Sequence, residues 1–134
     1  MNADLETQLA SLADAFEELE DVRALWVFGS AARGETGPLS DVDLAVWLDD
    51  SPTLDRRLEL QRRAVERLGR EDVDLVPIGE ASPVLQYRVV TDGRRLYARE
   101  PPRTDRFEQR CVMRYLDTAH LRERVQRLQR EAVE

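Results

Sequence analysis

The sequence predicts a small α/β domain in which a mixed β-sheet is covered by helices, and three observations lead there. Apolar residues recur at helical spacing in four separate stretches, short β-rich runs lie between those stretches, and Gly or Pro punctuates the joins. The 134 residues, 42% of them hydrophobic, suffice for one core and are too few for two ordinary domains.

The elements follow in chain order. Leu5, Leu9, Leu12, Phe16 and Leu19 step by three and four, which makes residues 3–20 an amphipathic helix with an acidic outer face. A buried strand over 23–28 runs into Gly29-Ser30, and Ser30 to Arg33 suits a single helical turn. Gly34 to Pro38 reads as a loop, with Ser40 ending it by bonding to backbone. Alternation in Val42-Asp43-Leu44-Ala45-Val46-Trp47-Leu48 marks a second strand. Leu54, Leu58, Leu60, Ala64, Val65 and Leu68 define a helix from about 53 to 68, stopped by Gly69. Val73 to Pro77 is a third strand, a short helix runs from near Pro83 to Gly93, and Arg95 to Ala98 is an edge strand. Pro101-Pro102 opens one long terminal helix over roughly 103–131. Residues 1–100 thus form the core and 101–134 a helical extension of the same domain.

Composition narrows the function. A net charge of −7 argues against general nucleic-acid binding, which rests on cations facing phosphates. No apolar run approaches the roughly 20 residues that span a bilayer, and the acidic start, Met1 to Glu6, lacks the basic-then-apolar order of a signal peptide. A soluble, cytoplasmic protein is the expectation. All 20 basic residues are Arg, and eight of them fall between Arg103 and Arg130. The lone Cys111 suits a small apolar position on the last helix, and the lone His120 a partly exposed helix face, so neither a disulfide nor a His-based metal site can be built. Trp26 and Trp47, inside the first two strands, read as core residues, with a place beside a nucleotide base as the alternative.

The chemistry lies in Gly29-Ser30 followed, after ten intervening residues, by Asp41-Val42-Asp43. Glycine lets backbone approach a phosphate, while the Ser30 hydroxyl and the following turn offer donors. Residues two apart on a strand share a face, so Asp41 and Asp43 present paired oxygen ligands for Mg²⁺. Asp74, between apolar residues of the third strand, is a third carboxylate that would be costly there unless paired or metal-bound; Asp72 reads as a solvated strand-entry residue. Arg33 follows the glycine turn and is as well placed to reach a triphosphate as to stay in solvent.

This constellation resembles the nucleotidyltransferase superfamily that includes DNA polymerase β, and over residues 22–100 is most similar to its minimal branch, the MNT proteins. The resemblance implies the polymerase β-like fold with a C-terminal helix. It further implies that Gly29 and Ser30 contact the triphosphate of ATP, and that Asp41, Asp43 and Asp74 bind Mg²⁺, two ions in all, with Asp74 also placed to help deprotonate the acceptor hydroxyl. MNT proteins commonly act as antitoxins of HEPN-domain ribonucleases, and members transfer AMP to a tyrosine of that toxin. The resemblance therefore implies a HEPN toxin as partner. Two alternatives stay open: a binding-only antitoxin, and transfer to a small molecule of the aminoglycoside kind, although such enzymes usually add a second domain. Leu116, Leu121, Val125 and Leu128 form an apolar stripe on the terminal helix, with Leu116 assigned to the core and the remainder open to a partner or a second copy of the chain.

Overall fold

The computed structural model describes the backbone of residues 2–34 and 41–133, and side-chain surroundings from residue 5 onward within that range. The expected positions of Ser40 and of most of the 34–38 loop lie outside the described residues. Helix α1 (Asn2–Glu17) leads to β1 (Val22–Phe28) and a 3₁₀ turn (Gly29–Ala31), then β2 (Val42–Leu48), α2 (Leu54–Leu68), β3 (Val73–Pro77), a second 3₁₀ turn (Ile78–Glu80), α3 (Pro83–Asp92), β4 (Arg94–Ala98), α4 (Pro101–Asp117) and α5 (Ala119–Val133). The four strands form one sheet in the order β3-β2-β1-β4, with β4 at an edge. β1 is antiparallel to both β2 and β4, whereas β2 and β3 are parallel and joined through α2.

Alternation along the strands divides the core in two. Leu25, Val27, Val42, Leu44 and Val46 pack with α1 and α2 on one face. Ala24, Trp26, Phe28 and Ala45 pack with Val89 of α3 and with Phe107 and Cys111 of α4 on the other. The first half of the terminal extension is thus part of the core. Trp26 is buried and donates its Nε1–H to Glu108 Oε1 at 2.9 Å. Half-buried Trp47 stacks on Phe107 with ring centroids 4.2 Å apart. Cys111 is buried, and that burial pushes its thiol up and away from the reactive thiolate.

Caps fix the helices that frame the site. Thr53 accepts a hydrogen bond from Arg56 N at 3.1 Å to start α2, and Gly69, left-handed at φ 65°, closes it. Leu60, Ala64 and Leu68 form its buried stripe, while Leu54 and Leu58 face solvent. Ser82 caps α3 in the same way, with Pro83 in its first turn.

Two expectations fail at the C-terminus. The single helix over 103–131 is in fact α4 and α5, divided at Thr118. There the Thr118 hydroxyl donates to Tyr115 O at 3.0 Å, and Arg122 donates to that same carbonyl at 2.8 Å and to the Thr118 hydroxyl. Side-chain bonds to helix carbonyls compete with the ladder and break its direction. Arg122 also lies 3.8 Å over Tyr115, which stacks on Tyr87 of α3 at 3.9 Å. Leu116 does not belong to the core. It is 55% exposed, and Leu121, Val125 and Leu128 are exposed with it, because α5 leaves the body of the domain and buries none of its residues. His120 is exposed on α5 as expected.

A second anchor holds the entry to β1. Arg56 grips Asp21 through two bonds, Nε to Oδ2 at 3.0 Å and Nη2 to Oδ1 at 2.5 Å. These bonds hold the Asp21 carboxyl below its usual range. A depressed carboxylate stabilises the fold above the ordinary value of about 3.9 and loses that contribution as pH falls through the depressed one. Asp21→Asn is therefore expected to cost about 0.5–1 kcal/mol near pH 7, solvent screening limiting the loss. In thermal melts the gap from the parent should close under strongly acidic conditions; a gap independent of pH would refute the assignment.

Candidate active site

β1 ends at Phe28, whose register partner on β2 is Asp43, so the chain turns at Gly29 directly beside that carboxylate. Gly29 adopts φ +70°, and a Cβ built there would stand 2.6 Å from Asp43 Oδ2. Glycine takes this left-handed turn without strain, and any other side chain would also have to displace the Asp43 carboxylate. The turn continues through half-buried Ser30 and buried Ala31, with Arg33 N donating to Ser30 O at 3.2 Å and Gly34 N to Ala31 O at 3.3 Å. Arg33 itself is exposed.

On its other side Asp43 pairs with Asp74 across the parallel β2–β3 ladder. Val42 and Leu44 point into the α1/α2 core, so the pleat turns Asp43 to the α3/α4 face, where Asp74 joins it. Asp41 precedes β2 by one residue and is exposed. The three carboxylates share an electrostatic environment: burial, then Asp74, then Asp41, push the Asp43 carboxyl above its usual range, with Arg88 acting in the opposite sense.

Asp74 corrects an expectation. Its apolar sequence neighbours suggested an enclosed carboxylate, yet it is exposed, because Val73 and Leu75 face the other side of the sheet and β3 is an edge strand. Asp72 also differs from the solvated residue expected: Arg70 holds it through two hydrogen bonds of 2.6 Å each. Trp47 lies four residues past Asp43 along β2, roughly 13 Å away, and its ring is engaged by Phe107.

Gln61 was missed in the sequence, where one polar residue among the many of α2 carries no signal. From α2 it donates to Val73 O and accepts from Leu75 N at 3.2 Å, satisfying the outer edge of β3 on both sides of Asp74. The third carboxylate is therefore held in register by α2 as well as by β2.

Among the described residues no group of three or more His, Cys, Asp or Glu side chains is close enough to hold a metal ion unaided. The donor chemistry nonetheless fits Mg²⁺. Carboxylate oxygens are its preferred protein ligands, one or two of them suffice when phosphate and water complete the shell, and the mutual repulsion felt by Asp43 is what a cation relieves. A cleft at the far ends of β2 and β3, lined by Trp47, Asp50, Pro52, Pro77 and Glu80, contains none of the residues predicted to bind phosphate or metal.

Comparison with known proteins bears on the family and the fold. The family model described as polymerase beta, nucleotidyltransferase, matches residues 10–102. The protein adenylyltransferase MntA of Shewanella oneidensis is 35% identical over 81 residues, which are 60% of this chain and 58% of that relative. The chain thus spans less than two thirds of the length of the curated relative it matches. A crystal structure of a toxin–antitoxin with AMP-PNP is 27% identical, covering 96% of this chain and 98% of that one with a TM-score of 0.74. A structure of the tri-AMPylated Shewanella oneidensis HEPN toxin in complex with MNT antitoxin is 25% identical, covering 100% of both chains with a TM-score of 0.68.

Proposed function

Since the chain belongs to the polymerase beta nucleotidyltransferase family, we propose that it transfers AMP from ATP to a tyrosine hydroxyl of a HEPN ribonuclease toxin and acts as that toxin's antitoxin in the cytoplasm. The observation that carries this reading is the close approach of the Gly29 turn to Asp43, itself in register with Asp74. A phosphate cradle and a carboxylate pair meet there at one end of the sheet.

The backbone of the Gly29 turn and the Ser30 hydroxyl bind the triphosphate and orient the α-phosphorus. Asp41, Asp43 and Asp74 would hold Mg²⁺, which when bound supplies the positive charge that offsets the triphosphate and the entering and leaving oxygens. Asp74, the exposed member of the registered pair, accepts the proton of the attacking hydroxyl; the new O–P bond forms at the α-phosphorus as pyrophosphate leaves. Residues 1–100 provide this chemistry, and 101–134 extend it with α4 and α5. The similarity to adenylyltransferase MntA and to antitoxins solved with HEPN toxin supports the choice of acceptor.

A binding-only antitoxin is the second reading, favoured by α5, whose exposed Leu121, Val125 and Leu128 offer a contact surface that requires no turnover. Intact-mass measurement of a HEPN partner after incubation with this protein, ATP and Mg²⁺ separates the two. The expected outcome is a gain of one or more AMP groups on the partner. A stable complex with unchanged mass would leave only the binding role.

A further inference from the structure

Arg88 lies on α3, the helix that packs against β1 and α4 on the sheet face shared by Asp43 and Asp74. Its side chain is exposed, and among the described residues it makes no hydrogen bond or ion pair. Its surroundings make that unusual. Arg70, which also senses Asp41, is occupied by its two bonds to Asp72, and Arg95 is shared between Asp105 and Glu108. The C-terminal end of α3 lies against the end of β1, where a Cβ at Gly93 would stand 3.0 Å from Val27 O, one residue before Phe28, the register partner of Asp43. The Arg88 charge acts on Asp43 in the sense opposite to Asp41 and Asp74.

The backbone that carries Arg88 is firmly placed. Val89 beside it is fully buried, and Gln86, two residues earlier, is buried with its Nε2 donating to Ile78 O at 2.9 Å and its Oε1 accepting from Arg114 at 2.8 Å. Ser82 and Pro83 fix the start of the helix. A guanidinium with donors uncommitted among the described residues, on a rigid helix over the sheet face that carries Asp43 and Asp74, suits an anion.

We propose that Arg88 is a triphosphate-binding residue of this site, its guanidinium holding the non-transferred phosphates opposite the Gly29 turn. The inference rests on the nucleotidyltransferase reading and adds a residue to it. A polyanion arriving beside three carboxylates needs cationic partners besides metal, and the planar fork of Arg matches phosphate oxygens in bidentate fashion. On this assignment Arg88 contributes to binding the pyrophosphate portion and not the AMP that is transferred.

Equilibrium titrations with AMP-PNP and with AMP, both in Mg²⁺, test this on the parent chain and on Arg88→Ala and Arg88→Lys. Arg88→Ala should bind AMP-PNP roughly tenfold or more weakly, with AMP affinity and melting temperature unchanged, and Arg88→Lys should recover part of the loss. Unchanged AMP-PNP affinity in Arg88→Ala would overturn the assignment while leaving the reaction class standing. Equal losses for AMP-PNP and AMP would overturn it too, since a residue on the leaving phosphates cannot affect AMP. Failure of the parent chain to bind AMP-PNP would remove the nucleotidyltransferase reading, and the role of Arg88 with it.

Discussion

Asp43→Asn should reduce AMP transfer by at least roughly a hundredfold while the fold persists. Asp43 stands between the Gly29 turn and Asp74, so its carboxylate is where the cradle and the acidic pair meet. Asn keeps the shape and removes the charge that would bind Mg²⁺. The same neighbours that make Asp43 useful make it uncomfortable: burial, Asp74 and Asp41 all disfavour its ionised form. In chelator, the melting temperature of Asp43→Asn should therefore equal or exceed that of the parent. Asp41→Asn should lose activity similarly. Near-parental labelling of the partner by either variant would end the metal-ligand assignment.

Gly29→Ala should be the most damaging change in the cradle. An alanine there carries the left-handed penalty, about 1 kcal/mol or more, and its Cβ, 2.6 Å from Asp43 Oδ2, must displace the carboxylate. We expect a melting temperature several degrees lower and ATP-dependent transfer reduced to background. Ser30→Ala, which removes one hydroxyl and leaves the turn intact, should weaken ATP use more modestly. ATP titrations that gave equal, negligible effects at both positions would dismiss the phosphate cradle.

Local patterning made much of this architecture legible. Alternation located β2 and a short β-rich run located β3, both to the residue, and Gly69 and Pro83 marked helix limits through backbone preferences that hold in any context. Gly29, Asp41 and Asp43 were readable as a motif, yet the reason Gly29 must be glycine was only partly so: the atom that excludes a Cβ belongs to Asp43, across the sheet. Leu116 shows the limit of periodicity. A helical stripe reveals that an apolar face exists and says nothing of what covers it, and here α5 leaves that face open. The break at Thr118 depends on Arg122 folding back onto Thr118 and Tyr115, and the place of Gln61 on the β3 edge depends on a tertiary approach, neither of which is written in spacing.

The parallel pairing of Asp43 with Asp74 also bears on how the protein acquires its activity. Those residues are 31 positions apart in the chain, and a parallel neighbour cannot be reached by a hairpin, so their alignment requires the whole crossover through α2 to be in place. Non-local parallel pairing of this kind forms more slowly than local helix or hairpin contacts, because chain entropy is lost before the pairing rewards it. A collapsed chain with α1, β1 and β2 in place would already hold Gly29 beside Asp43 and still lack its third carboxylate. Recovery of transfer activity during refolding should consequently lag behind the recovery of helical signal, making catalysis a reporter of the docking of β3.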